Sequence, residues 1–219
     1  MEILILSSMY NNNEREVSFA MNPIHRCICL LLVVIMIILS INTCYSLENT
    51  YEVQCLSYSS TNSAIINEVI SIAKDRIGLE YVWGGKGEIM TTERLSELKK
   101  IYGSKYYPLG KEHYIGQQAF DCSGLTYYAY EKATGVKIGY STVEQKKILK
   151  DYKVDLNNLQ PGDLVFTPGH VVLYTGKGKI VNAASKKAYP NGGVKEGEIK
   201  LDVKDCEAYR PIDYINDVR

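Results

Sequence analysis

Gln160-Pro161-Gly162-Asp163-Leu164-Val165-Phe166, followed closely by Gly169-His170-Val171-Val172-Leu173-Tyr174-Thr175-Gly176, marks the point where the chain changes its periodicity. A Pro-Gly turn launches a short apolar run, a tight turn follows, and a second run returns, which is the pattern of a β-hairpin. Downstream, Ile180-Val181, Ile199 to Leu201 and Ala208-Tyr209 continue as short β-prone runs between turn residues. Upstream the spacing is helical. Ile65, Ile66, Val69, Ile70, Ala73 and Ile77 fall on one face, with Asn62 or Ser63 as cap and Gly78 as stop. Three further helices are expected: over 91–102 with Leu95, Leu98 and Ile101 inward, from Asp121 to about Ala133 before Gly135, and from Val143 to about Lys150. Gly103 to Gln118 reads as loop. Helices followed by a strand meander predict an α+β fold, not a wound parallel sheet.

The 219 residues suffice for one well-filled domain. Twenty-five Lys and Arg balance 25 Asp and Glu, which argues against a broad basic surface for nucleic acid. Six cysteines, scattered and without a Cys-x-x-Cys pair, fit neither a disulfide scaffold nor a zinc site, so no metal or cofactor is expected. Cys27 to Ile41 is an apolar run of 15 residues behind His25 and Arg26. That length matches a signal-peptide core better than a membrane span of about 20 residues. The expected organisation is a leader over 1–46, with cleavage near Ser46 or retention as an anchor, and with Met21 as a possible true start. A polar linker over 47–62 and a catalytic domain over 63–219 would follow, the whole exported and monomeric. Cys55 and Cys206, outside the membrane, are candidates for a bridge.

Asp121-Cys122-Ser123-Gly124-Leu125 carries the chemistry. A cysteine in the first turn of a helix sits among unpaired N–H groups at the positive end of the helix dipole, which favours the thiolate. The same N–H groups are placed to hold an oxyanion. A thiol nucleophile needs a base, and of the three histidines His170 alone opens an apolar strand. Asn182, in Ile180-Val181-Asn182-Ala183-Ala184, falls on the next antiparallel strand, where its amide oxygen would accept the imidazole N–H; the alternative for it is a plain turn residue.

These pieces, in order, are Tyr81-Val82-Trp83-Gly84-Gly85, Phe120-Asp121-Cys122-Ser123-Gly124-Leu125, Pro161-Gly162-Asp163-Leu164-Val165-Phe166, Gly169-His170-Val171 and Val181-Asn182-Ala183. Together they resemble the NlpC-type cell-wall cysteine peptidases, a branch of the papain-like superfamily. The resemblance spans roughly Ile65 to Tyr209. It implies hydrolysis of peptidoglycan stem peptides, typically at the γ-D-glutamyl bond to the diamino acid, with Cys122 as nucleophile, His170 as base and Asn182 as orienting residue. It further implies that Tyr81 lies near the oxyanion site and that Asp121 and Ser123 help hold the free amine of the stem's N-terminal L-Ala. Ser141 and Gln145 would belong to the groove wall. Two departures stand out. Asn182 occupies a position where the family more often has His, and 34 residues separate Gly85 from Phe120, with Tyr102, Tyr106, Tyr107 and Tyr114 among them. That insert, at 86–119, would either roof the cleft or be inert decoration. Alternatives to the endopeptidase are an N-acetylmuramoyl-L-alanine amidase or acyl transferase using the same dyad, or a non-catalytic wall-binding protein.

Overall fold

The computed structural model describes residues 23–184, 187–201 and 204–219, and the chemistry expected above falls in a compact unit over 57–219. Helix α1 spans Pro23–Lys74. Proline suits a first helical turn, where its missing N–H costs nothing, and no glycine or further proline interrupts the chain until Gly78. The polar stretch 47–62, expected as an irregular linker, is therefore helical. Serine, threonine and asparagine lower helix propensity without breaking the helix. Just upstream, the Ser40 and Thr43 hydroxyls bond back to the Ile37 and Ser40 carbonyls. Leu31, Leu32, Met36 and Ile41 are exposed on this helix. Among the described residues no helix is long and apolar enough to cross a membrane. Residues 1–22, Met21 included, lie outside the described residues.

Within the compact unit the order is β1 (Lys86–Ile89), α2 (Thr92–Tyr102), β2 (Gln118–Phe120), α3 (Cys122–Thr134), α4 (Thr142–Ile148), β3 (Lys153–Val154), β4 (Leu164–Thr167), β5 (His170–Gly176), β6 (Lys179–Ala184), β7 (Gly193–Glu198), β8 (Glu207–Tyr209) and α5 (Pro211–Val218). Strands β3 to β8 form one antiparallel sheet in the order β3-β8-β4-β5-β6-β7, and β1 pairs with β2 apart from it. The architecture is α+β, as the sequence led one to expect. The inward faces of β5 and β6 (Val171, Leu173, Val181, Ala183) pack with Leu125, Ala129 and Tyr130 of α3 in one core, which Val69 and Ala73 of α1 join.

Some elements differ from expectation. The strand expected at Ile199 to Leu201 lies earlier, at Gly193–Glu198. It is an edge strand bearing Lys195, Glu196 and Glu198, and charge on an edge hides a strand from an apolar count. Helix α5 was not expected; it has Pro211 at its start and buries Ile212 and Ile215. Within the insert the helix expected over 91–102 is present as α2, and the stretch 103–118, expected as loop, carries short 3-10 turns. The insert contains β1, α2, two short 3-10 turns and β2, around its own buried cluster of Val82, Met90, Leu95, Leu98, Tyr107, Tyr114 and Ala119. Cys206 is a free thiol, so the candidate bridge to Cys55 is not formed.

Asp163, fully buried, accepts from the Gln160 amide at 2.7 Å and from Arg210 Nε and Nη2 at 2.9 and 3.0 Å. The Pro-Gly turn that launches β4 is thereby tied to the end of β8.

Candidate active site

Asp121 is the N-cap of α3: its backbone is extended and its Oδ1 accepts from the Gly124 amide at 2.6 Å. The cap fixes where α3 begins and so sets Cys122 in the first helical position, almost fully buried. The helix seats against the Gly84-Gly85 turn. A side chain added at Gly124 would meet the Gly85 carbonyl oxygen at 2.0 Å, and one at Gly85 would meet the Ala119 carbonyl carbon at 2.5 Å. Both glycines are thus demanded by contact, one in each of two motifs quoted above.

The Cys122 sulfur is within reach of the Val171 and Ser123 amides. Val171 directly follows His170, so the packing of α3 on β5 sets Cys122 against the head of the strand that carries His170. His170 follows the Pro168-Gly169 turn, pairs with Thr167 across the hairpin and is half-buried. The electrostatics differ from the sequence-based expectation of a thiolate. Burial pushes the Cys122 thiol up, and Asp121 adds to this; the two amides and the Lys86 ammonium pull the other way without prevailing. Burial likewise lowers the His170 imidazole, against the opposing pull of Asp121. Both shifts favour a neutral thiol beside a neutral imidazole at rest.

Tyr81 is buried in the same core as Cys122, and its backbone bridges to Phe120. Burial, then the neighbouring thiol and Asp121, raise its hydroxyl well above the usual phenol range, so it remains a proton donor.

Asn182 is buried on β6, and its Oδ1 makes no hydrogen bond. The expected bond from His170 is not made. Leu173 pairs with Val181, which sets Asn182 across from Val172 and leaves His170 a diagonal neighbour on the same face.

The remaining predicted residues separate. Ser141 lines the cleft and caps α4 through the Glu144 amide. Gln145 is not a wall residue but fully buried, with its Nε2 donating to the carbonyls of Ser123 and Gly139 and to the Thr126 hydroxyl. It anchors the first turn of α3. Of the insert's tyrosines, Tyr102 lines the cleft, Tyr106 stacks on Trp83 with ring centres 4.8 Å apart, and Tyr107 and Tyr114 belong to the insert's core. The cleft, about 380 Å³, is completed by Tyr81, Trp83, Lys86, Asp121, Cys122, Ser123, Tyr140, Thr142 and Gly169 among others.

Lys86 is the participant that sequence reasoning missed. Its Nζ lies 2.7 Å from each oxygen of Asp121 and 3.1 Å from Ser123 Oγ. The available signal was a lysine directly after the Gly84-Gly85 turn.

Comparison with known proteins bears on the fold and the family. The P60 domain of an M. avium subspecies paratuberculosis antigen superposes with a TM-score of 0.50, at 23% identity, over 69% of this chain and 98% of that one, which supports the fold. The murein DD-endopeptidase MepH of Escherichia coli is 35% identical over 100 residues, covering 42% of this chain and 36% of its own length. The Gamma-DL-glutamyl hydrolase of Bacillus subtilis is 31% identical over 97 residues, covering 41% of this chain and 22% of its own. The chain thus spans well under half the length of these curated relatives. The model of the NlpC/P60 family matches residues 78–197, the segment that holds the capped cysteine, the hairpin histidine and the residues lining the cleft: the chain belongs to the NlpC/P60 family.

Proposed function

We propose that this protein is an exported cysteine peptidase that hydrolyses peptidoglycan stem peptides at the γ-D-glutamyl–diamino acid bond. The observation that carries the reading is the placement of Cys122 at the head of α3, where it lines an open cleft with its sulfur near the amide that follows His170. The name of one relative, a murein DD-endopeptidase, supports peptidoglycan as the substrate, and that of another, a Gamma-DL-glutamyl hydrolase, supports a γ-glutamyl bond as the point of attack. The leader over 1–46 supplies the export signal, and residues 63–219, with the insert at 86–119, form the catalytic domain.

With both partners neutral at rest, proton transfer accompanies attack. His170 takes the thiol proton as the sulfur bonds to the scissile carbonyl carbon. Charge develops on the carbonyl oxygen, where the first-turn N–H groups of α3 and the Tyr81 hydroxyl serve as donors. Collapse breaks the C–N bond, the imidazolium gives its proton to the leaving amine, and a thioester remains on Cys122. His170 then deprotonates a water, which releases the acyl half as a carboxylic acid and restores the thiol. The imidazolium is the state that needs Asn182. A buried unpaired acceptor costs about 1–3 kcal/mol, and a modest turn of the imidazole would satisfy it while holding the ring in line.

The test is incubation of the purified protein with peptidoglycan and mass spectrometry of the fragments. Release of fragments with new amino termini on the diamino acid is expected, and its loss in Cys122→Ala with unchanged circular dichroism. Cleavage at the muramoyl–alanine amide would make it an amidase, new amide cross-links a transferase, and binding without turnover a wall-binding protein. N-terminal sequencing of secreted protein tests the leader.

A further inference from the structure

We infer that Lys86 fills, from within the chain, the ammonium-binding corner beside the nucleophile, so that the cleft accepts stem peptides whose N-terminal amine is acylated, as in glycan-attached strands, and does not select for a free amine. This deepens the peptidase reading and rests on it.

Asp121 and Ser123 flank Cys122, and a carboxylate next to a hydroxyl at the wall of a cleft is chemistry that recognises an ammonium group. That group is already there. Asp121 Oδ1 accepts from the Gly124 amide and Lys86 Nζ, and Oδ2 from the Gly84 amide at 3.0 Å and again from Lys86 Nζ, while the Ser123 hydroxyl, with one proton to share between Oδ1 and the Tyr140 carbonyl, lies 2.9 Å from Oδ1. A carboxylate offers about four lone-pair sites, so Asp121 has none left for a substrate. The Ser123 hydroxyl is also engaged, with the Tyr140 carbonyl at 3.1 Å and Lys86 Nζ at 3.1 Å. The pair is sheltered, with side-chain exposures of 24% for Lys86 and 12% for Asp121, so it is not the weakly held kind found on open surface.

Lys86 is not a loose tail that an incoming amine could sweep aside. Its backbone is the first residue of β1, paired with Phe120, and its amide donates to Glu88 Oε2 at 2.7 Å. A substrate ammonium entering here would meet a like charge and a saturated carboxylate. A substrate whose N-terminal nitrogen is an amide carries no charge and brings further chain beyond it. The exposed rings of Tyr102 and Tyr140, both on the cleft wall, offer that chain apolar surface.

The experiment compares two synthetic stem peptides, one with a free N-terminal amine and one N-acetylated, by kcat/KM in the wild-type protein and by calorimetric binding to Cys122→Ala. Wild type is expected to process the acetylated peptide at least as well as the free one. Lys86→Met, which keeps the stem and removes the charge, should move the free-to-acetylated ratio tenfold or more toward the free amine, and Lys86→Arg should leave it near wild type. Lys86→Thr serves as a second uncharged variant if the methionine variant misfolds. A tenfold wild-type preference for the free amine, or a ratio indifferent to Lys86→Met, overturns the inference. Hydrolysis at any ratio keeps the peptidase reading alive; binding without hydrolysis refutes that reading while the Kd ratio still decides the role of Lys86. Binding of neither peptide refutes both.

Discussion

Replacing Gly124 with alanine is the most searching test of how Cys122 is held. In an unhindered helix, Gly→Ala is favourable by about 0.8–1 kcal/mol. Here the added Cβ would lie 2.0 Å from the Gly85 carbonyl oxygen and 3.0 Å from its carbon. That oxygen is main chain and cannot swing away as a side chain would. It accepts from the Asp121 amide at 3.1 Å, while the Gly85 amide donates to Val82 at 2.9 Å. Clearing the clash needs a shift of more than an ångström in backbone that carries both bonds. Overpacking of this kind costs about 1–3 kcal/mol, and a lost backbone hydrogen bond adds about 1 kcal/mol. The clash outweighs propensity, for a net loss of about 2 kcal/mol. For a domain of this size that is a fall of about 4–8 °C in Tm. Calorimetry or a urea melt of Gly124→Ala beside Lys132→Ala, on an exposed turn of the same helix, reads it directly. The lysine variant should stay within about 0.5 kcal/mol of wild type. Because α3 must move, hydrolysis should fall further than the folded fraction does. A Gly124→Ala protein as stable as wild type would refute the close-approach account of both glycines.

Three further outcomes follow from the same geometry. Since burial lifts the Cys122 thiol, iodoacetamide labelling of the free protein should climb through pH 8–9 without a plateau near neutrality; a plateau at pH 6–7 would mean a thiolate at rest. His170 is lowered by burial, so its contribution to stability is full above the ordinary imidazole value of about 6.5 and is lost as pH falls through its depressed value. Urea midpoints at pH 7.5 and 5 should therefore differ in wild type, and less so in His170→Gln. Asp163→Ala strands Arg210 among partly buried groups, and removing one partner of a buried pair costs about 3–5 kcal/mol; a denaturant midpoint close to wild type would show that the pair is dispensable.

Much of this could be read in the chain because local chemistry and global fold agree. The cap at Asp121, the stop at Gly135 and the hairpin around His170 are set by a few neighbouring residues, and each appears where its turn or cap chemistry placed it. What escaped depends on contacts distant in sequence. The thiol's acidity was read from the helix dipole, but burial and Asp121 push the thiol up, and no short stretch encodes that burial. Asn182 was expected on His170, but the two are diagonal neighbours across β5 and β6 and the bond is not made. Lys86 was not singled out in the sequence, because its partners lie 35 and 37 residues away. Gln145 was placed on the groove wall by resemblance and is a buried strut.

The rung that joins Lys86 to Phe120 has a consequence beyond the present molecule. The chain departs and comes back at adjacent positions, with Val82 bonded to Phe120 and Asp121 to Gly85 on either side of the gate. Whatever is threaded between them is a closed excursion that adds little to the entropy of closing the parent fold, since that term grows only logarithmically with length. The segment is therefore an exchangeable cassette: trimming it to a tight hairpin, or grafting a different one, would re-tailor one bank of the cleft and leave the sulfur where it stands.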